Sequence, residues 1–125
     1  MSLITSRSLG IILFAHGSRD PQWRAPIESV AAHIRIRQPG TAVRCAYLEL
    51  CAPSLLEAAT DLIAIGAYQI RVFPIFFGVG KHAREDLPLL IEQIRTAHPG
   101  VSVELLPAAG EYAQLTALMA DIALS

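Results

Sequence analysis

Two histidines carry the chemical interest of this sequence, because each follows an apolar run and each is followed four residues later by an aspartate. The segments are His16-Gly17-Ser18-Arg19-Asp20-Pro21 and His82-Ala83-Arg84-Glu85-Asp86-Leu87-Pro88. Helix initiation accounts for the aspartates, as N-caps or first-turn anions, and for the prolines, pre-set for an early helical position. It does not account for the histidines. Neutral imidazole is a good ligand for borderline divalent metals, and two on facing loops would hold an ion with its other positions open, as metal transfer requires. A ring near a helix N-terminus is further biased towards its neutral, ligand-competent form.

The elements that must position these residues are legible as four apolar segments rich in β-branched and aromatic residues: Gly10 to Ala15, Ala42 to Leu48, Gln69 to Phe77 and Val101 to Leu106. A helical pattern follows each. Ile27, Val30, Ala31 and Ile34 repeat at i, i+3, i+4, i+7, as do Leu87, Leu90, Ile91 and Ile94, and Leu115, Leu118, Met119 and Ile122. The second helix is less regular, with Leu55, Leu56, Ala59, Leu62 and Ile63 on one face between Pro53 and Gly66. Alternating strands and helices of this length imply right-handed βαβ units and an α/β fold with helices on both sides of a parallel sheet. Four units fit the order 2-1-3-4, whose winding reverses between strands one and three, and ligands bind at such a reversal. Both histidines then lie at the C-terminal ends of the strands that flank it. Pro74 is out of place in a central strand unless it stands near the strand's end.

Glu49 belongs to the same rim, after strand two; its position alone suits a solvated carboxylate as well as a site group. Arg19, Arg24, Lys81 and Arg84 cluster there too, and with the helix N-termini they would favour an anionic ligand, although each singly reads as a surface charge. His33 and His98 fall in helical or helix-end positions away from the rim and receive no role. Gly17, Gly78 and Gly80 suit tight loops or a close backbone approach to a flat ligand. No phosphate-loop or dinucleotide motif is present, so no nucleotide is expected.

With 125 residues and a formal charge of -1, the chain suits a single domain over 1–125 and lacks the basicity of a nucleic-acid binder. The apolar runs are too short to span a bilayer, and the N-terminus has no signal-peptide pattern, so no membrane and a cytoplasmic location are expected. Cys45 and Cys51 match neither a zinc spacing nor a disulfide framework and read as buried free thiols.

At Ala15-His16-Gly17-Ser18-Arg19-Asp20-Pro21, at Tyr47-Leu48-Glu49 followed by Pro53, and at Phe73-Pro74 through Gly80-Lys81-His82 with Asp86-Leu87-Pro88, the sequence resembles the class II tetrapyrrole chelatases. The likeness is to the small single-domain sirohydrochlorin cobaltochelatase and ferrochelatase form, and it covers about the first seven tenths of the chain. The resemblance implies a flavodoxin-like three-layer α/β/α half that inserts a divalent metal into sirohydrochlorin, cobalt being favoured over iron or nickel. It implies that His16 and His82 are metal ligands, that Glu49 is the acidic site residue, that Pro74 is ordinary in the fold, and that two copies pair as a homodimer. The chain departs from the pattern at Gly110-Glu111-Tyr112, where a Gly-x-x-Pro-like element is usual. It has no His-rich tract and no cysteine cluster, so no iron–sulfur cluster is expected.

Metallation removes two protons from the macrocycle while the ion sheds water. His16, Glu49 and His82 would supply the ligands and the base, and Arg19, Lys81 and Arg84 would hold the substrate's carboxylates. A non-catalytic metal or tetrapyrrole carrier would use the same histidines. A histidine phosphatase would need an arginine where Ala15 stands.

Overall fold

Leu9–Ala15 (β1) forms the centre of the sheet because it is apolar on both faces: Ile12, Leu13, Phe14 and Ala15 are all no more than 1% exposed, so both sides of the strand are covered. The computed structural model describes residues 8–125, and the expectation about the N-terminal leader pattern lies outside them. β1 pairs in parallel with Ala42–Tyr47 (β2) and with Gln69–Pro74 (β3), Ile12 standing opposite Arg44 on one side and Val72 on the other. Ser102–Leu105 (β4) adds to β3, giving the order β2-β1-β3-β4. The expected 2-1-3-4 sheet is therefore present, with the reversal of winding between β1 and β3.

The helices are Ala25–Arg37 (α1), Leu55–Ala64 (α2), Lys81–Ala97 (α3) and Ala113–Leu124 (α4), with 3-10 turns at Pro21–Arg24 and Ala109–Glu111. Helices α2 and α3 cover one face through Leu55, Ala58, Leu62, Leu87, Ile91 and Ile94, against Ile12, Phe14, Ile70 and Val72 of the sheet. The other face is covered more sparsely. There Ile27 and Ala31 of α1 meet Leu13, Ala15, Val43 and Tyr47. None of the described helices is long and apolar enough to cross a membrane.

Pro74 is the last residue of β3, opposite Phe14. Successive N–H groups alternate sides along a strand, and the next one, that of Ile75, donates to the Phe14 carbonyl at 2.6 Å. A donor at position 74 would face β4, where the last bond of the ladder runs from the Leu106 N–H to the Val72 carbonyl at 2.9 Å. Pro74, without an N–H, thus stops the β3–β4 ladder at its end and interrupts nothing on the β1 side.

Helix α2 starts with a capping box: the Ser54 hydroxyl accepts from the Glu57 N–H at 3.2 Å, and the Glu57 carboxylate accepts from the Ser54 N–H at 2.8 Å. These bonds hold the Glu57 carboxyl below its ordinary range. Its contribution is thus present above that range and lost as the pH falls through it. Ser54→Ala is expected to lower Tm by about 4 °C near neutral pH, with a smaller effect in acid, in a thermal melt followed by circular dichroism. At the other end Gly66, with φ of 109°, ends the helix in the left-handed conformation expected of it.

Three expectations need correction. Asp86 and Pro88 do not initiate their helix: α3 begins at Lys81 behind Gly80, which places Pro88 inside it. Pro88 is tolerated because it lies on the exposed side, where the Arg84 carbonyl that loses its partner can be hydrated. The apolar stripe of α4 is not buried, since no residue of that helix is. Val30, expected on the buried face of α1, is 40% exposed for a related reason: that side of the sheet has no second helix over it. Asp20 does behave as expected, capping the turn at Pro21 by accepting from the Gln22 N–H at 2.9 Å.

Candidate metal-transfer site

His16 is the first residue beyond β1, exposed, with its ring 4.9 Å from that of Phe76 and tilted against it. Phe76 is 4% exposed and itself meets Phe14 edge-on, centroids 5.9 Å apart. The imidazole is thus seated on a fixed aromatic plane that begins in the core, while its nitrogens remain open to solvent. His82 is the second residue of α3, also exposed, so its ring stands at that helix's N-terminus. The two histidines follow β1 and β3, the neighbouring strands at the reversal of winding.

Glu49 reaches the same rim by backbone pairing. Beyond the end of the ladder, the Leu48 N–H donates to the Ala15 carbonyl at 2.9 Å and the Glu49 N–H to the His16 carbonyl at 3.0 Å. The Glu49 and His16 loops touch so closely that a side chain at Gly17 would overlap the Glu49 carbonyl oxygen. Gly17 also has φ of 104°, so it is needed for both reasons, whereas Gly78 and Gly80 have open space around them and no such constraint. Leu50, next to Glu49, is held at φ 70°, a left-handed conformation costly for a branched side chain. Nothing in the sequence signals it. Strain of this kind gathers at functional sites.

Among the described residues, no three His, Cys, Asp or Glu side chains stand together as a ready metal cage. The structure brings Glu49 to the His16 loop through the main chain, but it does not close His16, Glu49 and His82 around a point. This is an open arrangement in which an ion keeps positions for other ligands.

Arg19 and Lys81 are exposed on the two histidine loops. Arg24 is half-buried, and its Nε atom is buried without a hydrogen-bond partner. The neighbouring Tyr47 phenol is pushed up to about 12, first by burial and then by Cys45, so it stays protonated and cannot serve as a base at neutral pH. Cys45 and Cys51 are free, as expected, but half-buried rather than fully enclosed. Burial, foremost, raises the Cys45 thiol. His33 is exposed on α1, and His98 stands 3.0 Å from the Thr60 hydroxyl across α2 and α3, in keeping with their exclusion from the site.

A groove of about 580 Å³ flanks the start of α3 on its β4 side, lined by Pro74, Phe77, Val79 and Leu106 with Arg84 and Glu111 among the polar residues. Phe77 is 70% exposed, an aromatic face offered to solvent beside a cation. The segment that departs from the resembled pattern forms the wall here. The Gly110 N–H donates to the Phe76 carbonyl at 2.9 Å, and the Glu111 carboxylate accepts from the Ala108 N–H at 2.8 Å. A side chain at Gly110 would overlap the Phe77 carbonyl, so this wall also depends on a glycine. Nothing in the sequence distinguishes exposed Phe77 from its neighbour Phe76, which turns into the core.

An open parallel sheet ordered 2-1-3-4, with two imidazoles beyond its central strands and a carboxylate beside one of them, defines an α/β protein of the chelatase-like fold. The chain belongs to the CbiX family, whose model matches residues 10–123. It is 30% identical over 87 residues to a sirohydrochlorin cobaltochelatase of Methanococcoides burtonii, covering 70% of this chain and 66% of that protein. It is 36% identical over 83 residues to that of Saccharolobus solfataricus, covering 66% and 63%, and 31% identical over 102 residues to that of Saccharolobus islandicus, covering 78% of each. The match spans about two thirds of the length of the first two relatives. Among solved structures, a cobalamin (vitamin B12) biosynthesis CbiX protein of Marinobacter aquaeolei VT8 superposes with a TM-score of 0.79 at 33% identity, covering 92% of this chain and 93% of that one. The sirohydrochlorin chelatase SirB of Bacillus subtilis subspecies spizizenii, in complex with cobalt, gives 0.74 at 21% identity, covering 93% of this chain and 51% of that one, a likeness of fold.

Proposed function

We propose that this protein inserts a divalent metal ion, cobalt in preference to iron or nickel, into sirohydrochlorin. The observation that carries the reading is the placement of His16 and His82 beyond the two central strands where the winding reverses, in a chain of the CbiX family. His16 and His82 bind the incoming ion, and the open set of ligands lets it be passed on. Glu49, on the loop paired with His16, or one of the imidazoles takes the protons released by the pyrrole nitrogens. Arg19, Lys81 and Arg84 hold the peripheral carboxylates. The Phe77 face offers the macrocycle an apolar support. The reaction needs no nucleotide, iron–sulfur cluster, nucleic acid or membrane, and two copies of this single-domain chain act together in the cytoplasm as a homodimer.

The test is an anaerobic assay with sirohydrochlorin and Co²⁺ or Fe²⁺, following the absorbance change of metallation. Multiple turnovers per protein above the spontaneous rate are expected, faster with Co²⁺. Tetrapyrrole or metal binding without acceleration would mean a carrier instead.

A further inference from the structure

Leu50 is held in a conformation that its own side chain disfavours. Its φ of 70° lies in the region that glycine enters freely and a branched residue does not. The cause is tertiary. On one side the Glu49 N–H donates to the His16 carbonyl at 3.0 Å and the Glu49 carbonyl lies against Gly17, so the peptide unit leading into Leu50 is fixed. Three residues further on, the Pro53 carbonyl accepts from the Tyr47 N–H at 2.9 Å and closes the loop from the other end. A glycine at position 50 would meet these constraints without strain. The leucine that stands there adds little packing to the fold, since 52% of it is exposed.

The same pattern recurs on the other side of His16. Phe76 seats the His16 ring, and the next residue, Phe77, is turned out to 70% exposure. Leu50 likewise follows directly on the residue bonded to the His16 carbonyl. Leu50, His16 and Phe77 thus stand beyond β2, β1 and β3, adjacent strands of which the outer two lie about 10 Å apart. An ion alone would gain nothing from two apolar side chains on either side of its ligand. A broad, flat molecule with an apolar body, laid over the imidazole, would cover both.

We infer that Leu50 is a substrate-contacting residue that sets how tightly the tetrapyrrole is held, its side chain bearing on the macrocycle from the β2 side as Phe77 does from the β3 side. This rests on the metal-insertion reading above and assigns it a residue outside the set of ligands, base and cations. The strain at Leu50 is kept because the site needs the side chain there, and the bonds around Glu49 and Pro53 hold it in place. The body of the macrocycle is the same before and during metal entry, so the contact contributes equally to the ground state and the transition state.

Titration of metal-free sirohydrochlorin into the full chain, followed by absorbance, tests the contact without turnover. Leu50→Gly, which keeps the left-handed backbone and removes the side chain, should weaken binding about 5- to 10-fold. Leu50→Asn should do the same, since asparagine tolerates this conformation but is polar, whereas Leu50→Met should bind within about twofold of the wild type. In turnover, KM for the tetrapyrrole should rise by the same factor in the glycine variant with kcat unchanged. Its Tm should be no lower than that of the wild type, and its affinity for Co²⁺ alone the same. Equal tetrapyrrole binding by wild type and Leu50→Gly would overturn the inference, as would a wild type that does not bind the tetrapyrrole at all. A fall in kcat or in Co²⁺ affinity with KM unchanged would also overturn it, because Leu50 would then only shape the Glu49 loop. Tetrapyrrole binding that depends on Leu50 in a protein that inserts no metal would count against the functional reading alone.

Discussion

Replacing His16 or His82 by alanine should reduce metal insertion by roughly 10²- to 10⁴-fold, the range associated with loss of a group that acts directly on the reacting atoms. Both rings are exposed, so the loss should come with little change in the melting temperature. The two substitutions are also expected to be strongly non-additive. If the ion must be held by both imidazoles at once, the double variant should be about as slow as either single one, because removing the first ligand already abolishes the shared task. Steady-state metallation with the two single variants and the double variant distinguishes this from independent contributions, which would multiply. Wild-type rates in both single variants would remove the histidines from the mechanism. Glu49→Gln, by contrast, should leave metal binding measurable while slowing turnover if the carboxylate is the proton acceptor.

The second large effect is expected at Gly17. An alanine there meets two obstacles at once: a backbone φ of 104° that L side chains rarely adopt, and the Glu49 carbonyl oxygen in the space the methyl group would need. Neither is the far end of a flexible side chain that could swing away. One of the two loops has to move, and the bond from the Glu49 N–H to the His16 carbonyl ties that movement to the site. Gly17→Ala should therefore cost about 2–4 kcal/mol in a urea unfolding curve and also slow metallation at a temperature where the variant remains folded. Gly80→Ala is the control, because a side chain there meets nothing and the backbone has no positive φ. Equal stability of the two variants would show that the His16 and Glu49 loops are free to separate, and the proposed coupling between them would fall.

The sequence alone determined the framework. Apolar segments buried on both faces and alternating with helical repeats imply a parallel sheet wherever they occur, and the short connections and handedness of βαβ units leave few orders open. The positions of His16 and His82 beyond β1 and β3 follow from that order, as does the neighbourhood of Glu49, because each depends only on where a strand stops. Tertiary structure decided what local pattern cannot encode. The repeat in α4 is indistinguishable from that in α3, yet Leu87, Ile91 and Ile94 are buried and Leu118, Met119 and Ile122 are not, since periodicity states that a face is apolar and not what covers it. The start of α3 at Lys81 carries no capping side chain to announce it, so the initiation signals at Asp86 and Pro88 fall after the true start. The left-handed Leu50, the contact that reserves Gly17 for glycine, and the opposite directions of Phe76 and Phe77 arise from segments far apart in the chain meeting at one rim. Those meetings are set by how the loops pack, which is why the candidate ligands His16 and His82 can be named from the sequence and the packing of the loops that carry them cannot.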